Sequence, residues 1–266
     1  MRFASLFSGI LIVAACLASG DDLLFTARQH LVAQRFAEAL VAVEQYLGDN
    51  PRNVEALKLK GDVYYLLGKD GPAEQAFLAA VRIDPKFVEG QYSLGRVYYQ
   101  QSRYDAAIEQ FQKVLALQPD SYKAYDNLGL CYEHLNEVGP AVRYYLKSIE
   151  LVHKDVPTYD WPYANLANLL IDQADYKKAF NLATEAAQRN PHSARNYYLV
   201  AKALTHLDQS EKSLRWLRRA IELDPEYPEP RYLLAQQLRK QGATKEAEEE
   251  FARFKELRAK TPSKLR

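Results

Sequence analysis

Proline recurs along this chain at a fixed interval. Pro51, Pro85 and Pro119 are 34 residues apart, Pro157 follows after 38, and Pro191 and Pro225 return to 34. Other residue classes keep the same beat. Gly61, Gly95 and Gly129 continue, across a four-residue insertion, as Ala167, Ala201 and Ala235. Tyr64, Tyr98 and Tyr132 become Leu170, Leu204 and Leu238. Ala39, Ala73, Ala107 and Ala141 continue as Ala179, Ser213 and Ala247, and Phe77, Phe111 and Tyr145 lead to Ala183, Leu217 and Phe251. Independent residue classes sharing one period of this length mark an array of supersecondary units.

Within a unit the pattern is helical. Leu57, Gly61 and Tyr64 fall at i, i+4 and i+7, one face of a helix. After Leu67-Gly68-Lys69-Asp70-Gly71, read as a turn, a second apolar stripe runs through Ala73, Ala76, Phe77 and Ala80. Pro85 closes the unit, because proline has no amide donor and clashes with the preceding turn. Asp84 before it is pushed out of the helical region. Each unit is therefore a helical hairpin with more apolar surface than it can cover alone, and stacking on neighbours covers the rest.

A helix-turn-helix of this length with these small, aromatic and proline positions resembles the tetratricopeptide repeat family. The stretch 88–121 matches best, through Leu94-Gly95, Tyr98, Tyr104, Ala107, Phe111 and Pro119. The resemblance implies an all-α, right-handed superhelical solenoid of about seven units. They lie near 20–53, 54–87, 88–121, 122–159 with the insertion, 160–193, 194–227 and 228–260, followed by a tail at 261–266. The end units depart from the pattern: the first carries Ala27 where the glycine stands, and the last carries Phe254 where a small residue is usual. Charged residues around Phe251, Phe254 and Leu257 suit a cap. The insertion, in 150–162, admits two readings. One is a lengthened helix or loop whose Tyr159 and Trp161 pack locally; the other is a contact site or bend.

The same resemblance implies a concave groove lined by the first helices. One residue beyond the core stripe is turned by about 100°, so a neighbouring stripe can be read off. It holds Lys58, Asp62 and Tyr65, then Tyr92, Arg96 and Tyr99, then Asn168 and Ile171, then Tyr198 and Lys202, then Tyr232, Gln236 and Arg239. An adjacent row holds Lys123, Asn127, Trp161, Asn165 and Arg195. Tyrosine and arginine bring contact area and hydrogen bonds together, and asparagine amides can pair with peptide backbone. A protein or peptide partner is therefore expected. The lysine–asparagine clamp of chaperone-binding members is not, since Asp62 and Ser93 replace the groups it needs. A self-associating scaffold with no groove ligand remains an alternative, as does an envelope enzyme or sugar-binding protein using Tyr159–Tyr163.

The first residues read as an address. Met1 and Arg2 precede thirteen uncharged residues, 3–15, too few to span a bilayer and matching the apolar core of a secretory signal. Val13-Ala14-Ala15-Cys16 resembles the lipobox of bacterial lipoproteins, which makes Cys16 the lipidation site and places the protein in the periplasm or on a membrane. Ala18-Ser19-Gly20 fits an ordinary signal peptidase instead, releasing a chain from Asp21. The leader is read as 1–20 and the solenoid as 21–260.

Composition narrows the function. Lys plus Arg is 35 and Asp plus Glu is 34, so the net charge of +1 offers no broad basic surface for nucleic acid. The last 36 residues carry +5, which fits a solvated basic cap. Two cysteines, Cys16 and Cys131, exclude a disulfide framework and a cysteine-only zinc site. The five histidines form no zinc-protease pair, and neither a glycine-rich phosphate loop nor a nucleophile elbow is present. No catalytic residue, cofactor or metal is expected, and Cys131, beside the Gly129 and Tyr132 core positions, reads as a buried thiol.

Overall fold

A residue before proline is held out of the helical region, so each proline of the period ends a helix before a new one starts. The computed structural model describes residues 20–260, with side chains for 22–152 and 156–260. The leader and Cys16 lie outside the described residues, as does 261–266. Among the described residues the secondary structure is entirely helical, in fourteen helices. They are α1 (Gly20–Val32), α2 (Phe36–Asp49), α3 (Val54–Leu66), α4 (Asp70–Ile83), α5 (Val88–Gln100), α6 (Tyr104–Leu117) and α7 (Tyr122–His134). They continue as α8 (Val138–Asp155), α9 (Trp161–Asp172), α10 (Tyr176–Arg189), α11 (Ala194–His206), α12 (Ser210–Leu223), α13 (Pro228–Lys240) and α14 (Thr244–Lys260). Asp84 stands at φ −129°, ψ 98° and Asn190 at φ −129°, ψ 86°, each before its proline.

The chain divides into two compact units, the first ending at Ser93 and the second beginning at Leu94, within α5. In the first unit α1 packs on α2 and α3 on α4. Its core gathers Ala27, Ala42, Val43, Tyr46, Ala56 and Leu59. Asn53 caps α3 by accepting the Ala56 amide at 2.9 Å and donates to the Tyr46 hydroxyl at 3.0 Å. That cap satisfies one orphan amide and ties α3 to α2.

The second unit repeats the hairpin from α6 to α14, with the end of α5 supplying the first partner. Its helices meet through one device. The Phe111 ring lies where a Cβ on Gly95 would stand, at 2.7 Å, and the Tyr145 ring does the same at Gly129, at 2.5 Å. Phe77 sits likewise over Gly61 in the first unit. Ala167 and Ala201 take the glycine's place further on and remain fully buried, with Ala183 and Leu217 at the ring position. Where alanine replaces glycine, the ring gives way to the smaller Ala183 or Leu217, so the combined volume is adjusted and the notch stays filled.

A second period emerges in the turns. Gln34, Gly68, Ser102, Asn136, Ala174, Asp208 and Gly242 all adopt positive φ, from 57° to 82°. They are spaced by the same 34 residues with the same insertion. Each precedes a long-reach bond that closes its first helix, such as Lys69 N–H to Tyr64 O at 2.9 Å and Asp175 N–H to Leu170 O at 2.9 Å. Glycine occupies only Gly68 and Gly242, so the other five sites hold side chains in a conformation that costs an L-residue about 1–2 kcal/mol. The turn is shorter than the sequence suggested: Asp70, Gly71 and Pro72 already belong to the first turn of α4.

The four inserted residues lengthen α8, which has 18 residues against 14 in α6 and α10. Val152 on the added turn is fully buried and belongs to the same apolar cluster as Tyr163, Ala164 and Ala167 of α9. At the far end α13 and α14 are joined by Arg231–Glu250 at 2.8 Å. Among the described residues no helix is long and apolar enough to cross a membrane.

Two substitutions test the notch and the turn. Gly129→Ala is expected to cost about 1–3 kcal/mol, because the Tyr145 ring must move. Ala174→Gly is expected to add about 0.5–1 kcal/mol by relieving positive φ. Urea denaturation followed by circular dichroism reads both; an unchanged midpoint in either variant contradicts its account.

Candidate binding site in the second unit

The notches hold each hairpin closed, and the next hairpin stacks so that first helices are neighbours: α9 packs on α7 and on α11. Side chains one step off the core stripe of these helices therefore share a wall. On it Asp126, Asn165 and Arg195 form a chain of contacts. Asn165 Nδ2 donates to Asp126 Oδ1 at 2.9 Å, and Arg195 Nη2 donates to Asn165 Oδ1 at 2.9 Å. The Tyr159 hydroxyl donates to Asp126 Oδ2 at 3.1 Å. The Arg195 guanidinium lies 5.6 Å from the Trp161 ring centre, while Trp161 itself is 52% exposed. One large aromatic is thus presented to solvent by a buried polar scaffold.

Asp126 is only 3% exposed. Burial pushes its carboxyl up to about 6, against the pull of the Asn165 and Tyr159 hydrogen bonds and the Arg195 charge; Asp160 adds to the rise. Glu133, two turns along α7, is also raised by burial, although the Tyr145 hydroxyl donates to it at 2.6 Å. A parallel link joins α11 to the start of α9: Asn196 Nδ2 donates to buried Asp160 Oδ2 at 2.6 Å and to Ala186 O at 3.0 Å. Arg189 lies over Tyr163 at 4.2 Å. Both links cross between hairpins, so each fixes the angle at which α9 meets its neighbours.

The expected groove residues separate by environment. Trp161, Asn165 and Arg195 come together as described. Asn165 departs from expectation: it is 3% exposed and both ends of its amide are bonded within the chain, so it orients its neighbours instead of meeting a peptide backbone. Asn127 donates back to Lys123 O at 2.7 Å. Asn168 is half-buried on α9, and Lys202 reaches Asp172 at 3.5 Å. Tyr198 meets Tyr227 edge-on at 5.7 Å. Arg96 is exposed, and Tyr99 shares a 2.8 Å hydrogen bond with His134. Lys58, Tyr65 and Tyr92 belong to the first unit, where Lys58 pairs with Asp62 at 2.8 Å.

Sequence reasoning passed over Asp126, Asp160 and Asn196. Asp126 carried a signal: its column in the period reads Lys58, Tyr92, Asp126, Ala164, Tyr198 and Tyr232, so a carboxylate stands where most units place an aromatic or small residue. Tyr159 was noticed, but its target was not legible. Cys131 is fully buried and its thiol is pushed up to about 12 by burial, which leaves it without thiolate character at neutral pH. Among the described residues no group of three His, Cys, Asp or Glu could hold a metal ion.

Family models describing a tetratricopeptide repeat match residues 26–86, 165–228 and 122–151, and one describing a TPR repeat matches 95–136. No curated protein matches the chain. Among solved structures, PilW, a widely conserved type IV pilus biogenesis factor, superposes with a TM-score of 0.72 at 20% identity, covering 81% of this chain and 98% of its own. Pseudomonas aeruginosa pilF superposes with a TM-score of 0.69 at 19% identity over 82% of this chain and 97% of its own. A tetratricopeptide repeat protein from Parabacteroides merdae gives 0.70 at 14% identity over 90% and 93%. At these identities the likeness is one of fold.

The raised Asp126 carboxyl has a signed consequence. The folded state holds its proton up to about pH 6, whereas an unfolded aspartate releases it near 3.8. The contribution of this group to stability is therefore full below about pH 4 and declines as pH rises to about 6, by roughly 3 kcal/mol at most. Asp126→Asn, which cannot ionise, is expected to gain stability relative to the parent between pH 4 and 7. Parallel thermal melts check this, and a constant difference across that range contradicts it.

Proposed function

We propose that this chain, which belongs to the tetratricopeptide repeat family, is an adaptor of the bacterial cell envelope that holds a protein partner by an extended segment. The observation that carries this reading is the Trp161–Arg195 pair, an exposed ring and a guanidinium held in place by Asn165 and buried Asp126. Burying a carboxylate and an amide network beneath an exposed aromatic is costly for stability alone. An exposed aromatic beside a half-buried arginine on a rigid support suits a binding hot spot. The mechanism is non-covalent: a preformed surface gathers its partner and positions it for assembly.

The envelope setting rests on the first residues of the chain and on the company its fold keeps. Residues 3–15 suit an export signal, and Cys16 follows a lipobox-like Val-Ala-Ala. A lipid on Cys16 tethers the repeat array to a membrane without a spanning helix. PilW is a type IV pilus biogenesis factor, and by analogy the proposed task is assisting assembly of an envelope complex.

Affinity capture from solubilised membranes tests both halves. Trp161→Ala with Arg195→Ala is expected to lose partners that the parent chain retains, and Cys16→Ser is expected to leave the membrane fraction. Unchanged capture by the double variant removes the surface from the reading. Membrane recovery of Cys16→Ser, with Asp21 as the mature N-terminus of both proteins, removes the lipid anchor.

A further inference from the structure

The first turns of α7, α9 and α11 place Lys123, Trp161 and Arg195 at equivalent positions of the period, 38 and then 34 residues apart. Lys123 and Trp161 are exposed, and Arg195 is half-buried beside the Trp161 ring. Among the described residues neither Lys123 nor Arg195 makes a direct ion pair with a carboxylate; Arg195 reaches the buried acid Asp126 only through Asn165. Lys123 has the Tyr122 ring at 5.9 Å; Arg195 donates to Asn165, lies beside the Trp161 ring, and its charge also acts on Asp126 and Glu133. Lys202, by contrast, has Asp172, and Arg218 and Arg231 likewise face Glu246 and Glu250. The wall therefore presents cation, aromatic ring, cation, in that order across three packed helices.

Helix packing gives this row a spacing. Neighbouring packed helices lie about 8–10 Å apart, so Lys123 and Arg195 are separated by roughly 16–20 Å with Trp161 between them. A peptide extended in the polyproline II conformation rises about 3.1 Å per residue with about three residues per turn, so about three residues carry it from one helix to the next and side chains three apart face the same way. We propose that the segment held by this surface is an acidic, extended peptide with carboxylates about six residues apart and an apolar or aromatic residue midway. The outer carboxylates meet Lys123 and Arg195, and the central side chain covers Trp161. This rests on the adaptor reading and specifies its ligand. The buried acids have partners within the chain: Asp126 accepts from Asn165 and Tyr159, and Glu133 accepts from Tyr145.

The assay uses the full chain with Trp216→Phe, so that Trp161 is the reporting indole, together with isothermal titration. The probe is a capped heptapeptide with aspartate at its first and seventh residues and phenylalanine at its fourth. Capping removes terminal charges, so a free C-terminus plays no part. This peptide is expected to shift Trp161 emission and to bind at least tenfold more tightly than one with lysine at both ends. It is also expected to outbind a peptide whose aspartates stand at the third and fifth residues. Added salt should weaken it, as exposed charges are screened. Arg195→Glu should weaken it at least tenfold and improve binding of a peptide with lysine at the seventh residue; Arg195→Gln should lie between. Circular dichroism confirms that the variants retain the parent helix content.

Equal binding of the aspartate and lysine peptides, or indifference to aspartate spacing, overturns the charge pattern and leaves a peptide-binding surface standing. Tighter binding of the lysine peptide overturns it in favour of a basic partner. If none of these peptides binds while membrane capture still depends on Trp161 and Arg195, the extended-acidic-peptide proposal fails and the adaptor reading survives. If capture is also indifferent to both residues, the two fail together.

Discussion

A ring from the second helix of a hairpin fills the place of a missing side chain on the first. Tyr145 at Gly129, Phe111 at Gly95 and Phe77 at Gly61 each press into backbone that has no Cβ to offer. Close-packed interiors tolerate neither a void nor an overlap at such a point. The pairing therefore fixes the separation of the two helices and the faces they turn to each other. What each hairpin then exposes, and at what spacing, follows from that contact.

Once the hairpins of the second unit stack, their first helices become neighbours, and polar groups far apart in the chain meet. Asp126 joins Asn165 across 39 residues, and Asn196 joins Asp160 across 36. A buried carboxylate is expensive unless its lone pairs are met. Asp126 has Asn165, Tyr159 and the field of Arg195, yet its carboxyl remains elevated. The arrangement thus combines a stability cost with orientation of Trp161 and Arg195 at the surface. In the adaptor reading, that rigidity reduces the entropy lost when a partner docks.

The array was readable because several residue classes repeat together, and the helical faces follow from spacing within a unit. The turn geometry shares the period but hides in it, since Gln34, Ser102, Asn136, Ala174 and Asp208 have no chemistry in common. They share a backbone conformation imposed by the helix ends that flank them. The site was half legible. Trp161 and Arg195 stand at equivalent positions and could be placed on one row, while Asn165 looked like their companion at the surface. Its burial depends on Asp126, a residue one helix away that no spacing within α9 reveals. Tyr159 shows the same limit: the insertion that carries it was visible, but its hydroxyl meets Asp126, 33 residues away on α7, and nothing in the insertion names that partner.

By itself the sequence determined the hairpins, their number and the small-against-large pairing of their faces. These depend on local propensity and on a period that every unit restates. The tertiary structure alone decided which polar side chains are buried, which are bonded to one another and which are left facing solvent. Burial and hydrogen bonding are set by distances between helices, and the residues of one helix do not encode what the neighbouring hairpin brings against them.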